Sequence, residues 1–289
     1  MDQTSIINQN LDYDRPIKLA DGVFWVGFND AKSGLQCNPY LIVDGSEAIL
    51  IDGGSRPDFS TIMRKVLQAG VAPGQITHLV YQHYDPDLCG SIPNLEQIID
   101  RPDLKLISKK ENNPFIRHYS VRSKILCIDD LQHELVMQSG RTLRFFPTPY
   151  AHSAGSFITH DVTSGILFTS DLFGSVGTAS KWNLFAEIDN RCGTCTASWP
   201  NPFEDCAETG KPCTWSGLQM FHSQIMPSNA SLQYAMAVIK PIGASMFAPQ
   251  HGSILYRQED MQGALERILK MKNIGIDGIL ARVEPLTGK

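Results

Sequence analysis

Short apolar runs, many of them four to six residues long, are interleaved along the chain with stretches whose apolar positions recur at helical spacing. Residues 23–28 (VFWVGF) read as a strand, and YLIVDG and EAILIDGG, over 40–54, as two more joined by a turn at Gly45 and Ser46. The close spacing of these runs predicts adjacent antiparallel strands. In RPDFSTIMRKVLQAGV, Phe59, Ile62, Met63, Val66 and Leu67 fall on one helical face, and Gly70 marks a stop. ITHLVY then reads as a strand and SIPNLEQIID as a helix. LKLIS, KILCI, HELVM, TLRFFPT, GSFITH and GILFTS read as further strands. NASLQYAMAVIKP and QEDMQGALERILKMK predict helices flanking the strand SMFAP. Adjacent strands with helices interspersed suit two mixed sheets under outer helices, an α/β/β/α sandwich. A Rossmann sheet would alternate strand and helix more strictly.

Composition narrows the partners. The chain has 289 residues, 42% of them apolar and 19% charged, and no Pro/Ser-rich seam divides it, so one domain over 1–289 with a buried core is expected. A net charge of −5 and a pI near 5.9 argue against a nucleic-acid polymer as partner. The one notable basic cluster, RHYSVRSK at 117–124, reads as a solvated face. MDQTSIINQNLDYDRP lacks the pattern of a secretory signal, and no apolar run approaches a membrane span; a cytoplasmic protein without a membrane partner is expected. Seven cysteines without a secretory signal favour free thiols or metal ligation over a disulfide framework. Cys37, Cys89 and Cys127 read as small apolar packing residues.

The candidate chemistry lies where strands end. YQHYDPDLCGS, at 81–91, sets His83, Asp85 and Asp87 at alternating positions just after an apolar strand. Side chains two apart in an extended segment share a face, so the three can converge. Imidazole with carboxylates suits zinc, iron or manganese, and the spacing suggests one metal held by His83 and Asp85 and a second approached by Asp87. The plainer alternative is a polar loop with Asp87 capping a helix that starts near Gly90. PTPYAHSAGSF puts His152 at a turn, while ILFTSDLFGS and MFAPQHGSI put Asp171 and His251 at strand ends. Singly, each is an ordinary turn residue; together with the first loop they point to a metal centre. Between about 175 and 216 lies a segment holding Cys192, Cys195, Cys206 and Cys213 with Trp182, Trp199 and Trp215. Four thiolates can close a tetrahedral shell around a further metal, with a disulfide or unligated thiols as the alternatives. The tryptophans suggest a lid over the metal-site mouth or a small satellite core.

In their order, VFWVGFND, CNPYLIVDGSEAILIDGG, QHYDPDLCGSIPNL, HSAGSF, ILFTSDLFGS and FAPQHGSI resemble the metallo-β-lactamase superfamily and, within it, the diiron core of the flavodiiron proteins. The resemblance covers roughly residues 20 to 260. Many hydrolases of the superfamily carry His-x-His-x-Asp-His in the first loop, whereas flavodiiron proteins carry His-x-Glu-x-Asp. Asp85 stands where the hydrolases have their second His. The resemblance implies one iron bound by His83, Asp85 and His152, another bound by Asp87 and His251, and Asp171 bridging the two. Asp85 is one methylene shorter than the family's Glu. Leu88 replaces the His that usually follows the last Asp, which leaves open positions for oxygen or water. His222 falls where flavodiiron proteins often have a Tyr; the resemblance implies a proton or hydrogen-bond donor near bound oxygen, with packing as the alternative. Tyr84 reads as packing.

The function so implied is a non-haem diiron protein that binds or senses dioxygen, or reduces dioxygen or nitric oxide with an external electron donor. Two iron ions are expected, with zinc or manganese as alternatives. Flavodiiron proteins continue into an FMN-binding flavodoxin-like domain; no phosphate-binding loop follows residue 260 here, so no FMN is expected in this chain. The chain is thus similar to stand-alone oxygen-binding diiron proteins, with a signalling partner and a homodimer as further expectations. A binuclear hydrolase, most plausibly a phosphodiesterase acting on a cyclic or linear nucleotide, is the second reading, and a scaffold with structural metals the third. The carboxylate at position 85 favours the first.

Overall fold

Alternation along the strands accounts for the layers of the molecule. The computed structural model describes residues 11–29, 35–177, 182–186, 188, 192, 195 and 201–282. Among these, twelve strands form two sheets. The first runs in chain order through β1 (Ile17–Ala20), β2 (Val23–Trp25), β3 (Tyr40–Asp44), β4 (Glu47–Ile51), β5 (Ile76–Val80), β6 (Lys105–Ser108) and β7 (Lys124–Cys127). It is antiparallel from β1 to β4 and parallel from β4 to β7. The second sheet contains β8 (Glu134–Val136), β9 (Thr142–Pro147), β10 (Phe157–Asp161), β11 (Ile166–Phe168) and β12 (Met246–Ala248), in the order β12-β11-β10-β9-β8. Only its β11–β12 pair is parallel.

Successive strand residues supply different cores, as a period of two requires. Tyr40, Ile42, Ile49 and Ile51 meet Ile166, Phe168, Met246 and Ala248 between the sheets. Leu41, Ala48 and Leu50 face outward onto α1 (Phe59–Gln68), α2 (Pro86–Cys89), α3 (Ile92–Ile99) and α4 (Asn113–Ile116). On the other side, Leu167 and Phe247 face α5 (Thr214–Ile225), α6 (Asn229–Ile239) and α7 (Gln258–Lys270). Three apolar interlayers are what an α/β/β/α sandwich contains. A buried ion pair adds a polar bolt between the sheets. Arg141 meets the fully buried Asp161 at 2.5 and 3.1 Å and donates to the carbonyl of Asp21 and, at 3.4 Å, to that of Val43.

The predicted strands and long helices form where their patterns place them. Among the elements that escaped the pattern are β1, too short for its alternation to register, the single-turn helices α2 and α4, and α5, which buries Trp215, Ser216, Gly217, Leu218, Phe221 and His222 and so lacks a clean polar face. The tryptophan lid is a correction. Trp182 packs on Trp25 and Tyr13, with ring centroids 6.0 and 5.2 Å away, and Trp215 is buried beneath Arg267 in the helix-covered core. Trp199 lies outside the described residues. Among the described residues no helix is long and apolar enough to cross a membrane.

Candidate metal centre

Four strand ends deliver six ligand-type side chains to one end of the sandwich. The β5 exit is set first by Asp52, which follows β4 in a left-handed conformation with φ +57°. Its carboxylate accepts from the backbone N–H and side-chain amide of Gln82, both at 3.3 Å, and so orients the segment carrying His83. Burial pushes the Asp52 carboxyl up to about 8, against the pull of the two Gln82 hydrogen bonds. Gly53 and Gly54 let this turn close on the next. A Cβ on Gly53 would stand 2.7 Å from both Leu95 and the Tyr81 hydroxyl, and Gly54 has φ +79°. Gly53 N–H donates to the Leu88 carbonyl at 3.0 Å, fixing α2 behind the ligands.

His83, His152 and Asp171 form one cluster, and Asp87 and His251 lie in a second. Asp171 connects them. Its Oδ2 is 3.0 Å from His152 Nε2, and its Oδ1 is 3.7 Å from His83 Nε2 and 3.6 Å from His251 Nε2. Asp85 Oδ2 stands 3.2 Å from His152 Nε2 and 3.9 Å from His83 Nε2, while Asp87 Oδ2 stands 3.2 Å from His251 Nε2. All six residues singled out in the sequence are thereby brought together. Neither Asp caps a helix: α2 has Asp85 at its N-cap position without a side-chain hydrogen bond.

Backbone and hydroxyl partners hold two of the imidazoles by their far nitrogens. With Nε2 turned inward, His83 Nδ1 shares a hydrogen bond of 2.9 Å with Ser170 Oγ, and His251 Nδ1–H donates to the Gln36 carbonyl at 2.8 Å. Such partners fix tautomer and ring orientation in metal-binding histidines. Ser170, next to Asp171, also accepts from Gln250 N–H at 2.8 Å and so couples three ligand-bearing segments.

Two buried atoms at the centre have no hydrogen-bond partner among the described residues: His83 Nε2 and Asp171 Oδ1. Each such orphan costs about 1–3 kcal/mol, and a cation between them would satisfy both. Burial works against the Asp171 carboxylate, yet His83, His152 and His251 hold it ionised well below the usual carboxylate range. Burial likewise opposes protonation of His152, but its hydrogen bonds with Asp171 and Asp85 outweigh it and raise the imidazole to about 10. His251 is raised in the same way by Asp87. Protons stand where bound cations would supply the positive charge. Three carboxylates with three imidazoles are a donor set for iron, manganese or zinc, so the residues fit a dinuclear metal group.

Sequence reasoning misread two residues here. His222 is fully buried with both ring nitrogens engaged: Nδ1–H donates to the Leu218 carbonyl at 2.8 Å, and Nε2 accepts from Phe173 N–H at 3.1 Å. Burial lowers it to about 4. It is a neutral brace behind Phe221, not the proton donor that the resemblance implied. Cys37, read as a packing residue, instead groups with Asp87 and His251. No local signal marked it, because the residues before β3 meet the β12 exit only in the fold, through Asn38 N–H to the Gln250 carbonyl. Among the described residues no three of Cys192, Cys195, Cys206 and Cys213 bring their sulfurs within 4.8 Å of one another. Cys206 and Cys213 instead flank and follow the Asp205–Pro212 bridge, where Cys206 N–H donates to the Lys211 carbonyl. Leu88 points into the core beneath the first sheet, and Tyr84 stacks on Phe115 with centroids 4.4 Å apart.

Comparison with known proteins settles the family. The model of the family described as ODP family beta lactamase matches residues 35–252, about three quarters of the chain, and the match spans every ligand candidate above. The chain belongs to this family. Its fold is that of a peroxy diiron species of the chemotaxis sensor ODP, at TM-score 0.69 and 22% identity over 90% of this chain and 94% of that one. The rubredoxin oxygen:oxidoreductase of Desulfovibrio gigas matches at TM-score 0.69 and 18% identity, covering 89% of this chain and 61% of the other. Type A flavoprotein fprA of Rhodobacter capsulatus is 25% identical over 260 residues, 83% of this chain and 52% of the relative. The ODP-family chain thus spans about half the length of that curated relative.

Proposed function

We propose that this ODP-family chain is a non-haem diiron protein that binds or senses dioxygen, or reduces dioxygen or nitric oxide when an external donor supplies electrons. The observation that carries the reading is Asp171, one buried carboxylate facing all three imidazoles, with an unpartnered oxygen between His83 and His251. His83, Asp85 and His152 would hold one iron and Asp87 with His251 the other, Asp171 serving both. Two ferrous ions, if held there, would supply the electrons that dioxygen chemistry requires. Carboxylates in place of further imidazoles stabilise the oxidised metal, because hard anionic donors favour the higher charge.

The protein's own part is positioning and access. Asp85 and Asp87 side chains are 34% and 31% exposed, and His152 19%, whereas Asp171, His83 and His251 are closed off at 4% or less. A small ligand therefore approaches from the side of the first loop. Beside the centre, a cleft of about 300 Å³ runs from Gln36, which holds His251, to Ser175, Lys211 and Cys213. That cleft shares Gln36 with the His251 subsite, so a partner seated in it would lie next to the centre.

The test is the visible absorption of anaerobic, ferrous-loaded protein before and after oxygen is admitted, with metal content measured on the same sample. Two irons per chain and a new charge-transfer band support the reading, and a persistent band favours sensing over turnover. Two zinc ions retained from purification, with no response to oxygen, would turn the assignment to a binuclear hydrolase.

A further inference from the structure

The subsite of Asp87 and His251 lacks the imidazole that Leu88 replaces, since the Leu88 side chain is fully buried among the apolar residues of α1 and α3. A thiol stands beside this pair. Cys37 Sγ lies 3.8 Å from Asp87 Oδ2, the same oxygen that faces His251 Nε2, and 3.9 Å from His251 Nδ1. The three residues form a group whose ligand atoms are all within 4.8 Å of one another.

The thiol is held there by its neighbours. Asn38, fully buried, donates its backbone N–H to the Gln250 carbonyl at 2.8 Å and its amide to the carbonyls of Pro249 and Gly252, both at 3.0 Å. Its own side-chain oxygen accepts from Trp25 Nε1 at 2.9 Å. The Gln36 carbonyl takes the His251 Nδ1 proton. Residues 36 and 38 therefore clamp the His251 loop from both sides of Cys37, and the sulfur is carried to the metal site by the same backbone that positions the imidazole. A cysteine serving only to pack would face apolar atoms. This one faces a carboxylate and an imidazole.

We propose that Cys37 is a thiolate ligand of the metal held by Asp87 and His251. The inference rests on the dinuclear reading and deepens it. On binding, the S–H proton leaves to solvent and a metal–sulfur bond forms, with no change of oxidation state. A cation at bonding distance deprotonates a thiol outright. One subsite then has only nitrogen and oxygen donors and the other carries sulfur. The sulfur subsite favours iron, zinc or cobalt over manganese, because thiolate is the softer donor.

The experiment loads the full chain anaerobically with cobalt(II), records the near-ultraviolet thiolate-to-cobalt charge-transfer absorption, and measures cobalt per chain on the same samples. Wild type is compared with Cys37→Ser and Cys37→Ala, so that the difference spectrum isolates Cys37 from the other cysteines. A parallel measurement needs no variant: alkylation of Cys37, followed by mass spectrometry, with and without metal. The expected result is two cobalt ions per wild-type chain, a charge-transfer component absent from both variants, and alkylation of Cys37 slowed by about tenfold or more on loading. Two cobalt ions with identical spectra in wild type and variants, or unchanged alkylation, overturns thiolate ligation and leaves the dinuclear centre standing. Fewer than two cobalt ions in wild type overturns the dinuclear reading itself.

Discussion

Removing one hydroxyl, in Ser170→Ala, should weaken metal binding on the His83 side by about 10- to 100-fold, the usual effect of losing a partner behind a ligating imidazole. That corresponds to about 1.4–2.8 kcal/mol. The structure gives the same scale. The His83–Ser170 hydrogen bond is 2.9 Å long with both residues 1% exposed or less, so its loss forfeits about 0.5–1.5 kcal/mol and leaves an imidazole N–H orphaned. Backbone strain must be separated from this, because Ser170 has φ +53°. Ser170→Gly relieves the left-handed conformation and lacks the hydroxyl, so both variants should lose the same affinity if the hydroxyl is the cause. The Ser170 carbonyl, which takes Gln250 N–H, survives in each, so binding on the His251 side should change by less than about threefold. The assay is anaerobic titration against a competing chelator, fitted to two sites. Wild-type affinity in both variants, or equal loss at the two sites, would refute the argument.

Asp171→Ala should abolish paired occupancy, since Asp171 faces all three imidazoles; full occupancy by two metals, measured by elemental analysis, would sink its bridging role. In the metal-free protein His152 is raised to about 10, so its contribution to stability is fully present below the unfolded value near 6.5 and is lost as pH rises through about 10. Urea unfolding should therefore show the advantage of wild type over His152→Gln shrinking across that window, and a constant difference would contradict the pairing with Asp85 and Asp171. Metal binding must displace the same proton, so affinity should climb with pH below 10, about tenfold per unit for one proton, as read by proton release on titration. Arg141→Met strands the buried Asp161 carboxylate and should cost about 3–5 kcal/mol by denaturant unfolding, with metal stoichiometry unchanged in the folded fraction.

What the sequence revealed and what it hid follow from range. Sheets and outer helices were legible because their signals are local: the apolar run Tyr40 to Val43 and the helical face of Phe59 to Leu67 need no distant partner. The six ligand candidates were legible because each sits where an apolar strand stops or turns, a position that places side chains at the rim of a sandwich. Cys37 was not, because its environment is made by the Asn38 bonds to a loop more than 200 positions away in sequence. His222 failed for the complementary reason. A histidine's chemistry depends on whether its nitrogens are taken, and those of His222 are taken by Phe173 and Leu218, neither of which the residue type could announce.

The two halves of the centre differ in how they are built, and that difference bears on function. His251 is locked from behind by Gln36 and flanked by carbonyls pinned to Asn38, so its subsite is rigid on the side away from solvent. The other subsite has two partly exposed members, Asp85 and His152, against Asp87 alone in the first. A small ligand arriving between the metals would thus meet one fixed partner and one able to adjust, and the movement it causes would fall on the β9–β10 turn and the first loop. His152 lies in that turn, beside Ser153, whose hydroxyl is 3.0 Å from that of Ser156, and Ser156 O accepts from Thr148 N–H across the turn at 2.9 Å. A response in a sensing protein should therefore register first as changed amide exchange at 148–156 on ligand binding, with 36–38 and 249–252 protected throughout. The opposite pattern, exchange at the Asn38 clamp with a still β9–β10 turn, would reverse the assignment of rigid and adjustable halves.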